Sequence, residues 1–394
     1  MHAPLPLKRF AEWRKLSALA AIADEWRDLA GRALQPNVFY DPAFFLAAAP
    51  VFAPHVGALL VRDGQGRLIG FFPARMSRTR YGLFPPVLTG FVHPFAPLGL
   101  PLVDRDAAAP AIEAWLAYLA TQSALPRLVL LPFLPEQGPF ADALNSIIER
   151  EGLQTATFGR HARALLEPGN MRADYVEHAV SAKARKELAR KRRRLAEIAP
   201  VEYETVTDPA QVKAMLARFL ALEAGGWKGR AGTAAQADPR LQAFMEQAVT
   251  ALAERGQARG DIVRIGDCPL AIALMLRSGD TMWAWKIAYD ERFFRFSPGV
   301  QLALDITRAL VADNGIARTD SCATPDHPMI DHIWRERLTL SDRLICVRPG
   351  ASSCFALACR LESLRRRIIA AAKDARTRWH ALTAFTRYRA TTGE

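Results

Sequence analysis

The residues suited to chemistry gather in the second half of the chain. Lys286 is flanked by Trp285 and Ile287 in an otherwise apolar, strand-like run. A buried lysine is costly unless it is paired, so Lys286 either meets Asp320 as a structural partner or binds substrate. Asp320 itself falls in a strand-like run, where aspartate is depleted, and reads as a strand-end cap or a reactive carboxylate. Glu223 ends a helical segment beside Gly225-Gly226-Trp227-Lys228. It is either a solvated helix residue or a base, and Lys228 either contacts a phosphate or is solvated. His327 follows in Cys322-Ala323-Thr324-Pro325-Asp326-His327-Pro328. The other feature is Ser297-Pro298-Gly299, an N-cap serine with proline at the first helical position. A helix that starts just after a strand leaves backbone N–H groups unpaired and pointing outward. Such a start suits an anion, best of all a phosphate, although it is also explained as a plain capped helix.

The elements that must hold these residues can be read from periodicity and punctuation. The first half reads as a helix over 13–34, a helix from Asp41-Pro42 through 52, and strands over 56–62 and 68–76 joined by Asp63-Gly64-Gln65-Gly66. Residues 84–103 read as irregular strand and loop. A helix over 109–122, a strand over 127–132, a helix over 138–151 and two short strands to 166 complete the unit. Pro168-Gly169-Asn170 marks a boundary. The second half repeats that order of elements. A basic helix over 182–198 leads to a strand over 201–206, helices over 211–224 and 238–255, and strands over 258–266, 269–277 and 281–289. A helix over 298–314, a strand over 317–322, a helix over 328–337 and a strand over 344–347 finish it. The expected product is an α/β (α+β) chain with a mixed sheet and helices on both faces, twice.

Composition sets outer bounds. The chain has 394 residues, so two domains are expected, and half the residues are hydrophobic, enough for real cores. No apolar run reaches the length of a membrane span, and no signal peptide is read. Five scattered cysteines without a CxxC pair argue for a reducing cytosol. With no HxxxH or HExxH spacing either, no metal site is expected. The net charge of +12 favours anionic partners. It concentrates in two places. Residues 183–194 carry eight Lys/Arg side chains. They read as a solvated helix, or as a contact for cofactor phosphates, acidic membrane or tRNA. In residues 349–394, Leu357, Leu361, Leu364, Ile368, Ala372, Ala375, Trp379, Leu382 and Phe385 recur at helical spacing among Arg and Lys. That is a basic amphipathic helix, which either docks on the protein or lies on an anionic membrane.

The element order, with the strings KARKELARKRRRLAE (183–197), LEAGGWKGRAGTA (222–234) and WKIAYDERFFRFSPGVQL (285–302), resembles the GNAT (Gcn5-related) acyltransferase superfamily. Within it, the strings resemble a double-domain bacterial branch linked to envelope or exopolysaccharide loci, distantly related to Fem-type peptidoglycan aminoacyl transferases. They span most of residues 183–334; the first half matches only in outline, with Asp41-Pro42-Ala43-Phe44 as its best fragment. The resemblance implies tandem GNAT-like domains over 1–170 and 171–348, the first degenerate, with a helical tail over 349–394. It implies an acyl-CoA donor, acetyl or longer, whose pantetheine pairs with the splayed strand 281–289 at Trp285 and Ile287. The pyrophosphate would then lie on Ser297, Gly299, Val300 and Gln301 with Arg295. The loop departs from the family pattern in keeping a single glycine and in carrying Pro298, which has no N–H to donate. Acyl transfer to an amine needs a polarised thioester carbonyl and a base for the incoming ammonium, for which Asp320 and Glu223 are the candidates. The family's tyrosine acid is missing here, so His327 or water would stand in.

The implied activity is N-acylation of an amine, a small molecule or a lipid-like envelope precursor such as a long-chain amine. The implied place is the cytoplasm or the inner face of the membrane, with nucleic acid not among the expected partners. The alternatives are a Fem-type aminoacyl transferase using aminoacyl-tRNA and a non-catalytic membrane-surface scaffold with a GNAT fold.

Overall fold

The computed structural model describes residues 10–82, 84–169, 173–348 and 352–392, with side chains of the last helix through residue 375. The first half contains β1 (Phe10–Lys15), α1 (Ala23–Gly31), α2 (Pro42–Phe52), β2 (Gly57–Arg62), β3 (Leu68–Ser77), β4 (Val87–Gly90), β5 (Leu102–Val103), α3 (Ala108–Thr121), β6 (Leu128–Pro135), α4 (Pro139–Arg150) and β7 (Gln154–Leu166). The second contains α5 (Tyr175–Ala179), α6 (Ala182–Ala196), β8 (Val201–Val206), α7 (Pro209–Gly225), α8 (Trp227–Arg230), α9 (Pro239–Ala253), β9 (Ala258–Ile265), β10 (Cys268–Ser278), β11 (Thr281–Tyr289), α10 (Pro298–Ala312), β12 (Arg318–Asp320) and β13 (Glu336–Cys346). The helix α11 (Ser352–Thr392) follows. Asp-Pro pairs start three of the helices. Asp41, Asp208 and Asp238 each accept a backbone N–H of the first turn while the proline after them supplies a preset φ.

The strands form one mixed sheet in the order β1-β2-β3-β4-β6-β13-β7-β12-β11-β10-β9-β8, with β5 paired to β3 off that path. The two halves exchange their last strands. β13 lies between β6 and β7, and β7 pairs in turn with β12. One apolar core runs from the first half into the α7 and α9 face of the second, for example through Phe44 and Phe244, whose ring centroids are 5.4 Å apart. A second core lies under α10 on the opposite face.

Three local readings are corrected. Residues 13–34 are not one helix: Trp13 lies in β1, paired with Leu59 of β2, and the helix proper is α1. The two short strands before 166 are the single strand β7. The expected helix over 328–337 is a 3₁₀ turn at Ile330–His332, and the strand after it is the much longer β13. The cause is pairing at long range. β13 is laddered on both edges, which satisfies residues 336–346 more fully than a local helix could. Of the tail, Trp379, Leu382 and Phe385 lie outside the described side chains, and Asn170 lies outside the described residues.

Candidate active site

The site is built where β11 loses a neighbour. β11 pairs with β12 only at Thr281–Trp283, facing Arg318–Asp320, and has no strand partner on that edge beyond Trp283 among the described residues. Opposite β10 the register jumps from Leu274↔Lys286 to Met275↔Ala284, so Trp285 is the extra residue of a β-bulge. A bulge re-aims side chains and frees backbone groups. Trp285 turns to the first half and donates its Nε1–H to the Phe95 carbonyl at 2.8 Å.

A pocket of about 640 Å³ passes through this gap. Ala273, Met275, Ala303, Ile306 and Trp334 line it on the α10 face. Trp227, Lys228 and Trp285 line it on the α7 face, and Lys286, Cys322 and His327 also border it. Its walls are mainly apolar with a few convergent polar groups, the usual make-up of a ligand site.

Gly299, Val300, Ser297, Trp285, Ile287, Lys286 and His327 all line the pocket. Ser297 is the residue before α10 but does not cap it. Its backbone is left-handed, at φ 54° and ψ 52°, and its hydroxyl accepts from Lys191 Nζ at 2.9 Å. The basic helix α6 thereby brings an ammonium to the start of α10, a contact that the charge run alone could not specify. Gln301 does not act as expected. Its N–H already donates to the Ser297 carbonyl at 3.1 Å, and its side chain is buried, donating to the Phe296 carbonyl at 2.8 Å. Gly299 and Val300 therefore supply the N–H groups without a partner among the described residues. Arg295 is exposed and stacks on Phe296, 4.7 Å from the ring centroid, rather than lining the pocket.

The carboxylates are engaged elsewhere. Asp320 is buried in β12 and binds Arg163 of β7 at 2.5 Å, while its other oxygen accepts the Cys322 N–H at 2.9 Å. The pairing of Asp320 with Lys286 does not form. Asp320 is the strand-end cap and ion-pair partner at the seam. Glu223 is buried at the end of α7, holding Lys228 Nζ at 2.6 Å with one oxygen and the Ala235 N–H at 2.9 Å with the other. The turn between Glu223 and Lys228 closes so tightly that a side chain at Gly229 would strike the Ala224 carbonyl, 1.7 Å away. Lys286 rests over the Phe95 ring, 3.9 Å from its centroid. Burial, and then the nearby Lys228 charge, lower its pKa from 10.5 to about 8. His327 is half-buried, its Nδ1 accepting the Met329 N–H at 3.3 Å. Cys322, with φ 52°, turns the chain at the pocket wall, and burial pushes its thiol well above the usual range.

The corresponding place in the first half is filled. The cavity bordered by Leu88 and Gly90 of β4 and Val129 and Leu131 of β6 holds only about 10 Å³, and Gly99 packs directly on the Pro132 carbonyl. Ahead of α3, the buried Asp104 carboxylate is paired with both Arg32 and Arg67.

Compared with known proteins, residues 182–327 match the family described as an acetyltransferase (GNAT) domain. This stretch has a GNAT-like fold. Among solved structures, FemX superposes with a TM-score of 0.55 at 11% identity, over 82% of this chain and 95% of FemX. The C-terminal DUF2156 domain of a candidate lysylphosphatidylglycerol synthetase from Agrobacterium fabrum gives 0.53 at 13% identity, over 86% and 95%. A protein of unknown function from Bacteroides thetaiotaomicron gives 0.51 at 9% identity, over 83% and 96%. No curated protein sequence matches the chain. At these identities the likeness shows the fold alone, which the chain as a whole shares with FemX and the DUF2156 domain. The splayed β11, its bulge and the α10 start all lie inside the GNAT stretch. Among the described residues there is no cluster suited to a metal ion and no helix long and apolar enough to cross a membrane.

Proposed function

We propose that the chain is an acyl-CoA-dependent N-acyltransferase, with the donor held by the second domain, 171–348, and the acceptor cleft completed by a degenerate first domain, 1–170. The observation that carries this reading is the pocket that crosses the sheet at the unpaired edge of β11. It joins an anion-ready helix start on one face to Lys228 and Lys286 on the other. The residues present fit the donor. Gly299 and Val300 N–H groups, with Lys191 beside Ser297, suit the pyrophosphate, and the free edge of β11 suits an amide-bearing arm. When bound, acyl-CoA supplies the acyl group as an activated thioester.

The protein's own part is to orient, exclude water and move protons. Backbone N–H groups on the free edge of β11 polarise the carbonyl. Lys286 takes the proton of the incoming ammonium, because its pKa of about 8 leaves a usable neutral fraction near neutral pH. Asp320 and Glu223 act as positioning residues, since all their oxygens serve other partners. His327 stands at the pocket wall as proton donor to the leaving group.

Ala273, Met275, Ala303 and Ile306 make the α10 side of the pocket apolar, which favours a donor with an acyl chain longer than acetyl. The acceptor is an amine, small or lipid-like, and a cell-envelope precursor such as a long-chain amine fits both the apolar walls and a cytoplasmic position at the inner face of the membrane. Calorimetric titration with CoA and with acyl-CoAs of increasing length tests the donor. Binding that tightens with chain length is expected, and no heat at high micromolar ligand defeats the reading. Gly299→Asp gives an independent check. A Cβ there meets Met329 and Tyr289 at 3.6 Å, ordinary contact, and an acidic residue in the first turn favours the helix. CoA affinity is expected to fall by about tenfold or more, roughly 1.4 kcal/mol, with the melting temperature unchanged or raised.

Lys191 at the pocket mouth also favours a second reading, a Fem-type transfer from aminoacyl-tRNA, because it would serve an RNA phosphate equally well. Steeply salt-dependent tRNA binding, in the absence of any CoA binding, would select it.

A further inference from the structure

The helix α11 is docked by one face and leaves another unpartnered. On the docked face, Ala358 is fully buried, with Cys354, Phe355 and Cys359 packed against Val87, Leu128 and Leu344. Glu362 is also fully buried, receiving Arg80 through two hydrogen bonds of 2.9 Å and Arg366 at 2.8 Å, and Arg366 reaches on to Asp342. These ion pairs fix the rotation of the helix, so its outer face is presented and not free to roll inward. That face carries Leu357, Leu364 and Ile368, which are 42%, 53% and 60% exposed. Steps of seven and four residues put them on one stripe, with half-buried Leu361 between the first two. Arg360 and Arg367, also seven apart and exposed, run alongside. Of the two carboxylates between 352 and 375, Glu362 is consumed by Arg80, and exposed Asp374 lies past the stripe. Beyond residue 375 the sequence continues the same alternation of apolar and basic residues.

We propose that this outer face of α11 docks the protein on an anionic lipid bilayer, with the aliphatic stripe entering the acyl boundary and the arginines meeting phosphate headgroups. An aliphatic line flanked by arginines is what an interfacial helix requires. A nucleic acid would leave Leu357, Leu364 and Ile368 without apolar cover. A second copy of the chain would set two arginine rows together with no carboxylate facing them. The net charge of +12 acts in the same direction. The proposal does not rest on the acyl-transfer reading, since it is tested by binding alone.

The test is flotation of the full chain with vesicles of phosphatidylcholine alone and of phosphatidylcholine mixed with phosphatidylglycerol, at low and high salt. The wild type is expected to float with the anionic vesicles only, and to be released in part by salt. Leu364→Glu combined with Ile368→Glu, and separately Arg360→Glu combined with Arg367→Glu, are each expected to weaken binding by about tenfold or more. All four residues are exposed or nearly so, and unchanged melting temperatures would show that the fold is kept. Wild type that ignores phosphatidylglycerol overturns the proposal, as does full binding by both double variants. So does a wild-type dimer that Leu364→Glu with Ile368→Glu dissociates, which would assign the face to a second copy. The salt and lipid dependence of the wild type decides the matter even if a variant fails to fold.

Discussion

Lys286→Met is expected to lower kcat by about 10²–10⁴-fold while making the protein more stable. Both effects follow from one fact, the lowering of the Lys286 pKa from 10.5 to about 8. The folded state disfavours the ammonium relative to the unfolded chain, because burial removes its water and Lys228 adds a like charge. The folded pKa lies below the unfolded one, so the destabilisation is fully present below pH 8 or so and is relieved as pH rises toward 10.5. Methionine keeps the aliphatic stem against Phe95 and removes the charge. A gain of about 2 kcal/mol in chemical denaturation at pH 7 is expected, discounted because the pocket admits solvent, and it should vanish at high pH. The activity signs run the other way. A base must be neutral, so kcat of the wild type should rise as pH passes up through about 8, and the variant should lose that limb.

The groups facing Lys286 do not supply a competing step near neutrality. Glu223 is held by Lys228, burial drives His93 down to about 3, and the Cys322 thiol is pushed up. If Lys286→Met keeps kcat and its pH profile and raises only KM, Lys286 is a binding residue and the base lies elsewhere.

Much of the site is local and so was legible in the sequence. The Ser297-Pro298-Gly299 start, the strand carrying Trp285 to Ile287, and the Glu223–Lys228 turn are short-range features, and the structure brings them to one pocket or its edge. What the sequence does not carry is pairing between residues far apart. Nothing near Asp320 announces Arg163, 157 positions away, and nothing near Lys191 announces Ser297, 106 positions on. The same holds for the exchange of β7 and β13, which turns two expected sheets into one and converts an expected helix over 328–337 into a turn and a long strand. Periodicity reports which face of an element is apolar, and it is silent on which strand lies beside it. In α11 the sequence left docking and membrane contact as alternatives because an amphipathic stripe satisfies either. The structure places Glu362 and Ala358 on the docked side and Leu357, Leu364 and Ile368 on the other, so docking accounts for one face and the membrane proposal concerns only the other.

Asp320→Asn is expected to cost about 3–5 kcal/mol of stability, because it leaves the Arg163 guanidinium buried with its charge uncompensated. Arg163 has no easy route to water. Its other nitrogen donates to the Pro97 carbonyl at 2.8 Å, so the side chain pins β7, β12 and the first-half segment that carries Phe95. The loss should therefore reach the site through position and not through a missing base. With Asp320 weakened as acceptor for the Cys322 N–H, the pocket wall at Cys322 loses its anchor, and Phe95 loses its register under Lys286. KM for the acceptor is expected to rise more than kcat falls, and the pH profile of kcat should keep its limb near 8. Replacing both partners, Arg163→Met with Asp320→Asn, removes the uncompensated charge and should recover a large part of the stability, giving a coupling energy above about 2 kcal/mol in a double-mutant cycle. A single Asp320→Asn that abolishes kcat at unchanged stability and KM would instead make Asp320 the base. The cycle and the pH profile thus separate a carboxylate that holds the seam from one that moves the proton.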